Sequence, residues 1–402
     1  MPTQNPRLWA YSLPVALMLL APFDILASLG MDIYLPVVPA MPGILGTTPA
    51  VIQMTLTFYM IMLGIGQTVF GPLSDRLGRR PVLIGGALLF AAASLALAAT
   101  SAAYPFVAFR LVQATGASAI LVAVFATIRD VYAERPESAV IYSLMNAILA
   151  FVPALGPVAG ALVAGSFGWR AIFVLLGILA VVMLVWALPN WHETRRLGGA
   201  PREAVFGPVL KSPAFWAYTL GFGTAMGTFF VFFSTAPRVL IDGAGLSELA
   251  FSVAFGTVAL VMIVTTRFTK SVVRRRGIAD TAIRGMTILI LGAGLLTLGQ
   301  LCLPPSFWSF ILPVWLMAVG IVCTTSVTAN GALQEFGDIA GSAVALHFCV
   351  QSIIASVVGT CFVVALNGET AWPLIGYAAA MAAITLTALL WVRNRQARPL
   401  PA

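Results

Sequence analysis

Two carboxylates in an otherwise apolar stretch are the residues best able to do chemistry in this chain. Asp24 and Asp32 lie between Tyr11 and Pro36, a segment long enough to cross a bilayer, which takes about 20 residues in a helix. A charged side chain at that depth costs about 2.5–3.5 kcal/mol even on a permissive insertion scale. Because burial favours the neutral form of a carboxyl group and a nearby arginine favours the charged form, such an acid can take up and release a proton.

The composition predicts a chain that crosses a membrane many times. Of the 402 residues, 60% are hydrophobic and 9% are charged, whereas a soluble globular protein carries about 25% charge. The apolar blocks are long and uniform, which favours an all-α membrane protein over a barrel of short alternating strands. We predict twelve transmembrane helices, near residues 12–35, 50–72, 82–100, 105–128, 138–163, 169–189, 213–236, 247–269, 282–302, 307–331, 340–365 and 372–392.

The longest polar stretch, from His192 to Lys211, lies between the sixth and seventh predicted helices. It divides the chain into an N-terminal six-helix half (1–190), a central loop (191–212) and a C-terminal six-helix half (213–402). Two pseudo-symmetric halves of this kind are typical of secondary transporters. Neither a metal-ligand spacing nor a nucleotide-binding P-loop occurs, so we expect no metal, no cofactor and no enzymatic activity.

The positive charges orient the chain. If both termini are cytoplasmic, the cytoplasmic segments hold all 22 lysines and arginines except Arg110, Arg170 and Arg238. This distribution satisfies the positive-inside rule. It also explains the net charge of +8 without a nucleic-acid partner.

The loop after the second predicted helix reads G-P-L-S-D-R-L-G-R-R-P from Gly71 to Pro81. Its acid and three arginines can form a charge network that locks neighbouring helices in one state. The pattern resembles that of the major facilitator superfamily, G-x-L-[AS]-D-R-x-G-R-[RK], and the loop from Arg267 to Gly277 keeps the basic run but not the whole motif. The predicted conformational residues of the first loop are Gly71, Asp75, Arg76, Gly78, Arg79 and Arg80.

A second motif lies in the fourth predicted helix. Helical spacing places Arg110, Gln113 and Gly116 on one face, which favours an inward-facing, paired arginine over one that extends to the outer interface. The stretch is similar to the R-x-x-Q-G motif of the same superfamily, with Ala114 in place of a glycine.

A third motif lies in the fifth predicted helix, where Gly156, Pro157 and Gly160 indicate a bent, closely packed helix. The combination resembles the g-x-x-x-G-P-x-x-G-G motif that marks the drug antiporters of the superfamily, with Ala161 in place of the last glycine. Because symporters usually lack this motif, the resemblance implies export.

The resemblance extends over nearly the whole chain and is closest to bacterial exporters of chloramphenicol and florfenicol, through residues 22–28, 229–237 and 327–333. It implies a proton-coupled antiporter of the bacterial inner membrane, in which Asp24, Asp32 and Arg110 are the required membrane-embedded charges. An uptake symporter of a small nutrient and an exporter of other amphiphilic drugs remain alternatives. We expect a monomer with both termini cytoplasmic, in contact with membrane lipid, protons and a drug.

Eight residues of helix separate the two acids by about 12 Å along the axis and about 80° around it. Asp24 lies near mid-membrane, and Asp32 lies nearer the outside, where Arg110 could meet it. We hypothesise that Asp32 is the main proton carrier, tuned by Arg110, and that Asp24 serves the substrate or a second proton. The reverse assignment stays open, as does a purely structural role for both acids.

We expect the substrate pocket to be apolar with a few polar groups, between the two halves at mid-membrane. A neutral or cationic amphiphile suits it better than an anion. For Phe230 and Phe233, packing against lipid is the stronger alternative, and for His347 a packed role is favoured over proton relay. The candidate substrate-binding residues are Asp24, Tyr34, Tyr59, Asn146, Phe230, Phe233, Asn330 and Gln351.

Overall fold

A computed structural model describes residues 9, 11–132, 135, 137, 140, 141, 144, 145, 147, 148, 151–195, 206–336 and 339–396. Within these residues the protein is helical and contains no β-strand. Among the described residues, ten helices are long and apolar enough to cross a membrane, and a shorter apolar helix spans Val152–Phe167. The predicted all-α membrane fold is confirmed.

The α-helices are numbered here in chain order. They are α1 (Leu13–Asp32), α2 (Met41–Leu45), α3 (Pro49–Leu77), α4 (Arg79–Ala99), α5 (Ala103–Tyr132), α6 (Val152–Phe167), α7 (Trp169–Asn190), α8 (Gly207–Leu210), α9 (Pro213–Pro237), α10 (Glu248–Cys302), α11 (Phe307–Leu333), α12 (Ala340–Ile353), α13 (Gly359–Ala365) and α14 (Trp372–Gln396). A 3-10 turn spans Leu35–Val37, and wider π-helical turns span Arg238–Gly243 and Ile354–Val358.

With 55 residues, α10 is more than twice as long as the roughly 20 residues that a membrane requires, because it contains two helices. Gly277 inside it has φ 81° and ψ 177°, a left-handed conformation that glycine adopts without a steric penalty. The two arms correspond to the predicted spans 247–269 and 282–302. With α12 and α13 counted as one span and α6 as the fifth, the described helices correspond to the twelve predicted ones.

By its contacts the chain divides into two compact units. The first unit comprises Met1–Tyr34, Gly43–Thr47 and Phe58–Arg202. Within it, α4 packs against α5 and α7, while α1 packs against α5, α6 and α7. The α4–α5 crossing is close because a Cβ on Gly86 would lie 2.9 Å from the Gly116 carbonyl oxygen, and one on Gly116 would lie 2.7 Å from the Gly86 carbonyl oxygen. Small residues of this kind drive helix packing in lipid, where no hydrophobic force joins helices.

The second unit comprises Leu35–Pro42, Thr48–Thr57 and Glu203–Ala402. Within it, α10 packs against α11 and α14, and α9 packs against α11 and α14. Gly285 and Gly320 make the same reciprocal contact as the glycines of the first unit, with Cβ-to-oxygen distances of 2.9 and 2.8 Å.

The start of α3 belongs to the second unit through hydrogen bonds. The Gln53 amide donates to Ser234 Oγ at 3.0 Å, and the hydroxyls of Thr57 and Thr360 lie 2.6 Å apart. The second unit therefore contains two short segments from the N-terminal part of the chain, Leu35–Pro42 and Thr48–Thr57. The predicted halves 1–190 and 213–402, with the loop 191–212, stay a prediction drawn from the repeat pattern.

Candidate functional site

Both acids of α1 are buried in the first unit. The exposed fraction is 2% for Asp24 and 7% for Asp32. Asp24 Oδ1 has no hydrogen-bond partner among the described residues, which leaves a buried acceptor that is costly unless a proton or another ligand satisfies it. Asp32 is the last residue of α1, before the chain turns through the Leu35–Val37 segment.

Arg110 lies inside the first unit and is fully buried. Its Nη1 donates to the Gly30 carbonyl oxygen at 2.8 Å and to Gln113 Oε1 at 2.6 Å. The guanidinium carbon lies 5.0 Å from the ring centre of Tyr34 and 4.7 Å from that of Tyr59. Two aromatic faces, a carbonyl and an amide therefore surround the charge, and the side chain does not extend to the membrane surface.

The arginine does not pair with Asp32 as the sequence suggested. No ion pair joins Asp32 and Arg110 in the part of the chain that the structure describes. Arg110 Nη1 donates instead to the Gly30 carbonyl oxygen and to Gln113, and its Nε and Nη2 have no hydrogen-bond partner among the described groups. The ring centre of Tyr59 lies 4.7 Å from the Arg110 guanidinium carbon, and the Tyr59 hydroxyl donates to the carbonyl oxygen of Ala27, on the helix that carries both acids, at 2.8 Å. Tyr59, predicted as a substrate contact, is thus a neighbour of the buried charges.

Gly30 is the residue that admits this arrangement and that the sequence analysis missed. A Cβ at Gly30 would lie 2.5 Å from the Tyr59 hydroxyl and 3.1 Å from the ring of Phe90. The only signal in the sequence is a glycine within an apolar helix, which is too common to single out.

The glycine–proline motif of α6 packs on the end of α1 that carries Asp32. A Cβ at Gly156 would lie 2.9 Å from the Asp32 Cβ, and one at Gly160 would overlap the Ile33 carbonyl oxygen. Gly156, Pro157 and Gly160 are all buried. The motif therefore packs directly against Asp32, and its sequence pattern alone did not indicate this contact.

The other predicted substrate residues of the first unit are Tyr34 and Asn146. Tyr34 is buried, and its ring centre lies 6.0 Å from that of Phe106 and 5.7 Å from that of Phe173. Asn146 lies outside the described residues. The first unit therefore brings Asp32, Arg110 and both tyrosines to one region.

In the second unit, the lipid-facing alternative for Phe230 and Phe233 is wrong. Their exposed fractions are 1% and 2%, and Phe233 packs edge-on against Phe255 with ring centres 5.9 Å apart. The whole helix α9 is largely buried, so a phenylalanine cluster on two of its faces does not have to meet lipid.

Gln351, Asn330 and His347 differ in their surroundings. Gln351 is buried and donates to Ser352 Oγ at 2.8 Å, and its Oε1 has no partner among the described groups. Asn330 is exposed on α11. His347 is fully buried, with Nδ1 2.8 Å from the Thr219 hydroxyl and the ring of Phe222 5.1 Å away, which is the packed setting that the sequence favoured.

The turn between α3 and α4 carries the predicted charge network. Arg79 is buried, with Nη1 2.6 Å from Asp75 Oδ1 and Nε 2.8 Å from Asp130 Oδ2. Arg129 Nη2 lies 3.7 Å from the same Asp75 oxygen. The network thus joins the α3–α4 turn to the end of α5, and Asp130 is a member that the sequence analysis did not name.

The other residues of the motif have smaller roles in the geometry. The Arg76 carbonyl oxygen accepts from Arg195 Nη1, and Arg80 Nη2 donates to the Leu188 carbonyl oxygen at 2.7 Å. A Cβ on Gly71 would meet no atom within 4 Å. Gly78 has φ 109°, which a residue with a side chain rarely adopts.

Glu193, which follows α7, anchors the start of α4. Its carboxylate accepts from the backbone N–H groups of Arg79 and Arg80 at 2.8 and 3.1 Å, and from that of Arg195 at 2.9 Å. The first N–H groups of a helix have no partner within the helix, and a negative charge there is favourable. No local pattern indicates this contact, because Glu193 lies 114 positions from Arg79.

Replacing Glu193 by glutamine should lower the free energy of unfolding by about 1–3 kcal/mol, because a neutral amide accepts these hydrogen bonds less strongly than a carboxylate. The loss should appear as a lower thermal midpoint of the purified protein in detergent. The matched control is Glu369→Gln, at an exposed acid. Equal midpoints for the two variants would contradict the anchoring role.

Comparisons with known proteins concern the family and the fold of the chain. Residues 24–360 match the family model of the Major Facilitator Superfamily. The chain is 47% identical over 380 residues to the "Chloramphenicol resistance protein" of Pseudomonas aeruginosa, covering 94% of this chain and 90% of that protein. It is 30% identical over 321 residues to the "Multidrug resistance protein MdtM" of Salmonella typhimurium, covering 77% and 75%.

Among solved structures, a bacterial homologue of the human lysosomal transporter Spinster, in an inward-facing and occupied conformation, matches with a TM-score of 0.75. The match covers 97% of this chain and 99% of that one at 14% sequence identity. At that identity the likeness concerns the fold alone.

Proposed function

Because this chain belongs to the Major Facilitator Superfamily, we propose that it is a proton-coupled antiporter that exports phenicol antibiotics. The 47% identity to a chloramphenicol resistance protein over 94% of the chain is the observation that carries this proposal. The named multidrug transporters among the relatives support drug efflux as the broader class. The expected setting is a bacterial inner membrane, with both termini cytoplasmic and the protein a monomer.

Proton coupling is assigned to α1. Asp32 is a buried carboxylate beside Gly156, in the region of Arg110 and Tyr59. Burial favours the neutral form of a carboxyl group and an approaching cation favours its charged form, so Asp32 would exchange its proton as its distance from Arg110 changes during transport. We assign the main proton to Asp32 and a second proton or a substrate contact to Asp24, whose Oδ1 has no partner among the described residues.

Phenicols are neutral molecules, so the substrate needs apolar and aromatic contacts with a few hydrogen bonds. We keep Tyr34, Tyr59, Phe230 and Phe233 in the proposed set as its aromatic members. Gln351 supplies a buried amide oxygen that still lacks a partner in the described chain. Asp24, Asn146 and Asn330 complete the set.

The charge network of the α3–α4 turn is assigned a conformational role. Arg79 bridges two acids on different helices, so any movement of α5 against the α3–α4 turn must break an ion pair between buried or half-buried partners. Such an element has two discrete states rather than a continuum, which suits alternating access.

The test is drug accumulation in sensitive cells that express the full chain. Chloramphenicol and florfenicol should both stay low in these cells and should rise to the level of empty cells when a protonophore is added. A low level that ignores the protonophore would contradict proton coupling, and a level equal to that of empty cells for both drugs would contradict phenicol export. Higher drug levels than in empty cells would indicate uptake instead.

A further inference from the structure

The bend of α10 carries a group of cations that the transport proposal does not use. We call them the α10 basic surface; they are Arg267, Lys270, Arg274, Arg275, Arg276 and Arg284. All six are exposed. The segment that holds them contains a single acid, Asp280, and that acid pairs with Arg393 of α14 at 3.1 Å.

These six cations differ from those of the related turn in the first unit. There, Arg79 pairs with Asp75 and Asp130, Arg80 donates to the Leu188 carbonyl and Arg129 lies near Asp75. On the α10 basic surface, none of the six side chains has a hydrogen bond, ion pair or ring contact within the described chain. Their charge is therefore free to meet a partner from outside the chain.

The faces of α10 that carry these cations also carry exposed apolar side chains. Leu260, Val264 and Phe268 are exposed apolar side chains on the first arm, with exposed fractions of 57%, 49% and 67%. Two helical turns bring position 275 onto the face of position 268, and position 267 onto the face of position 260. On the second arm, Arg284 shares a face with Leu291, which is 58% exposed.

The lengths of the arms place the cations at the level of the phospholipid headgroups. From Glu248 to Phe268 the first arm is about 30 Å long at 1.5 Å per residue, which equals the hydrocarbon thickness of a bilayer. The second arm, from Arg284 to Cys302, spans nearly the same length. The apolar faces therefore end where the cations begin, and the polar headgroup layer lies there.

We propose that the α10 basic surface binds the phosphate groups of anionic phospholipids such as phosphatidylglycerol. Lysine and arginine clusters next to a membrane helix attract anionic lipid, and arginine forms two parallel hydrogen bonds with phosphate oxygens. The lipid tails cover the exposed leucine, valine and phenylalanine side chains on the apolar faces of the two arms. A free phosphate ion has no tail and cannot cover them. This lipid site does not depend on which molecule the protein exports.

The experiment counts the lipids retained by the purified full-length protein in native mass spectrometry. Phosphatidylglycerol and phosphatidylcholine with the same tails are added at equal concentration. The wild type should retain phosphatidylglycerol preferentially, and R274Q/R275Q/R276Q should lower that preference by about tenfold or more, since each cation near the surface contributes separately. The matched control is R274K/R275K/R276K, which keeps the charge and should keep most of the preference.

Two further measurements make the proposal testable even if the glutamine variant inserts poorly. With the wild type alone, rising salt should release phosphatidylglycerol and spare phosphatidylcholine, because exposed charges are screened. Inorganic phosphate at about the same ionic strength should release no more lipid than chloride does. Equal retention of the two lipids by the wild type, or release by phosphate far beyond that by chloride, would overturn the proposal; the second result would indicate a small-anion site.

Discussion

Asp32→Asn should make cells that express the protein as sensitive to chloramphenicol as cells that lack it. Asparagine has nearly the same shape as aspartate, so the packing of Asp32 against Gly156 is kept, but an amide does not bind and release a proton near neutral pH. Expression and folding should therefore be unchanged while proton-driven export is lost. The measurement is drug accumulation with and without a protonophore, beside the amount of protein in the membrane.

The control for this variant is Asp242→Asn, at an exposed acid near the end of the Arg238–Gly243 turn, which should export normally. A second assay separates proton transfer from drug binding. Liposomes that contain the Asp32→Asn protein should still exchange labelled drug for unlabelled drug, because exchange needs no net proton movement. Protonophore-sensitive export by Asp32→Asn, together with its loss in Asp24→Asn, would reverse the roles of the two acids.

Gly160→Ala should reduce the amount of folded protein. The protein that does fold should lose most of its export activity. The added Cβ would overlap the carbonyl oxygen of Ile33, which is backbone and not a flexible side chain. Either α6 or the end of α1 must move, and overpacking of this kind costs about 1–3 kcal/mol. Since Asp32 is the neighbour of Ile33, the displacement reaches the proposed proton carrier directly. Thermal stability in detergent and drug accumulation together measure the effect.

The same helix provides a matched control. Gly165 also lies in α6, and a Cβ placed there meets no atom within 4 Å. In a helix, alanine is more favourable than glycine by about 1 kcal/mol, so Gly165→Ala should be neutral or slightly stabilising. If both alanine variants behaved alike, the close contact between α6 and α1 would not be the reason for the glycine at position 160.

The sequence predicted the helices well because a membrane imposes a simple requirement. A spanning segment must satisfy all its backbone hydrogen bonds internally and must be apolar over about 20 residues, and both properties are local. The position of the bend at Gly277 could not be predicted from hydropathy. Hydropathy separated the two arms of α10 at the basic run, but the structure continues the helix through that run and turns only at one glycine.

Contacts within one helix could be predicted, and contacts between distant segments could not. The spacing of Arg110 and Gln113 correctly placed both on one face, where they share a hydrogen bond. The partner of Arg110 on α1 turned out to be the Gly30 carbonyl and not Asp32, since a backbone oxygen has no signature in the sequence. Glu193 was missed for a related reason: a carboxylate that binds backbone N–H groups imposes no residue type on its partner.

The reciprocal glycine crossings have a consequence for the genetics of this protein. At Gly86 and Gly116, and again at Gly285 and Gly320, each missing side chain faces a backbone oxygen of the opposite helix. A damaging substitution at one of these positions has no compensating change at the other, because that position is already the smallest residue available. Selection for restored drug resistance should therefore return reversions at the altered codon itself, while substitutions among larger packed side chains should yield suppressors at neighbouring positions.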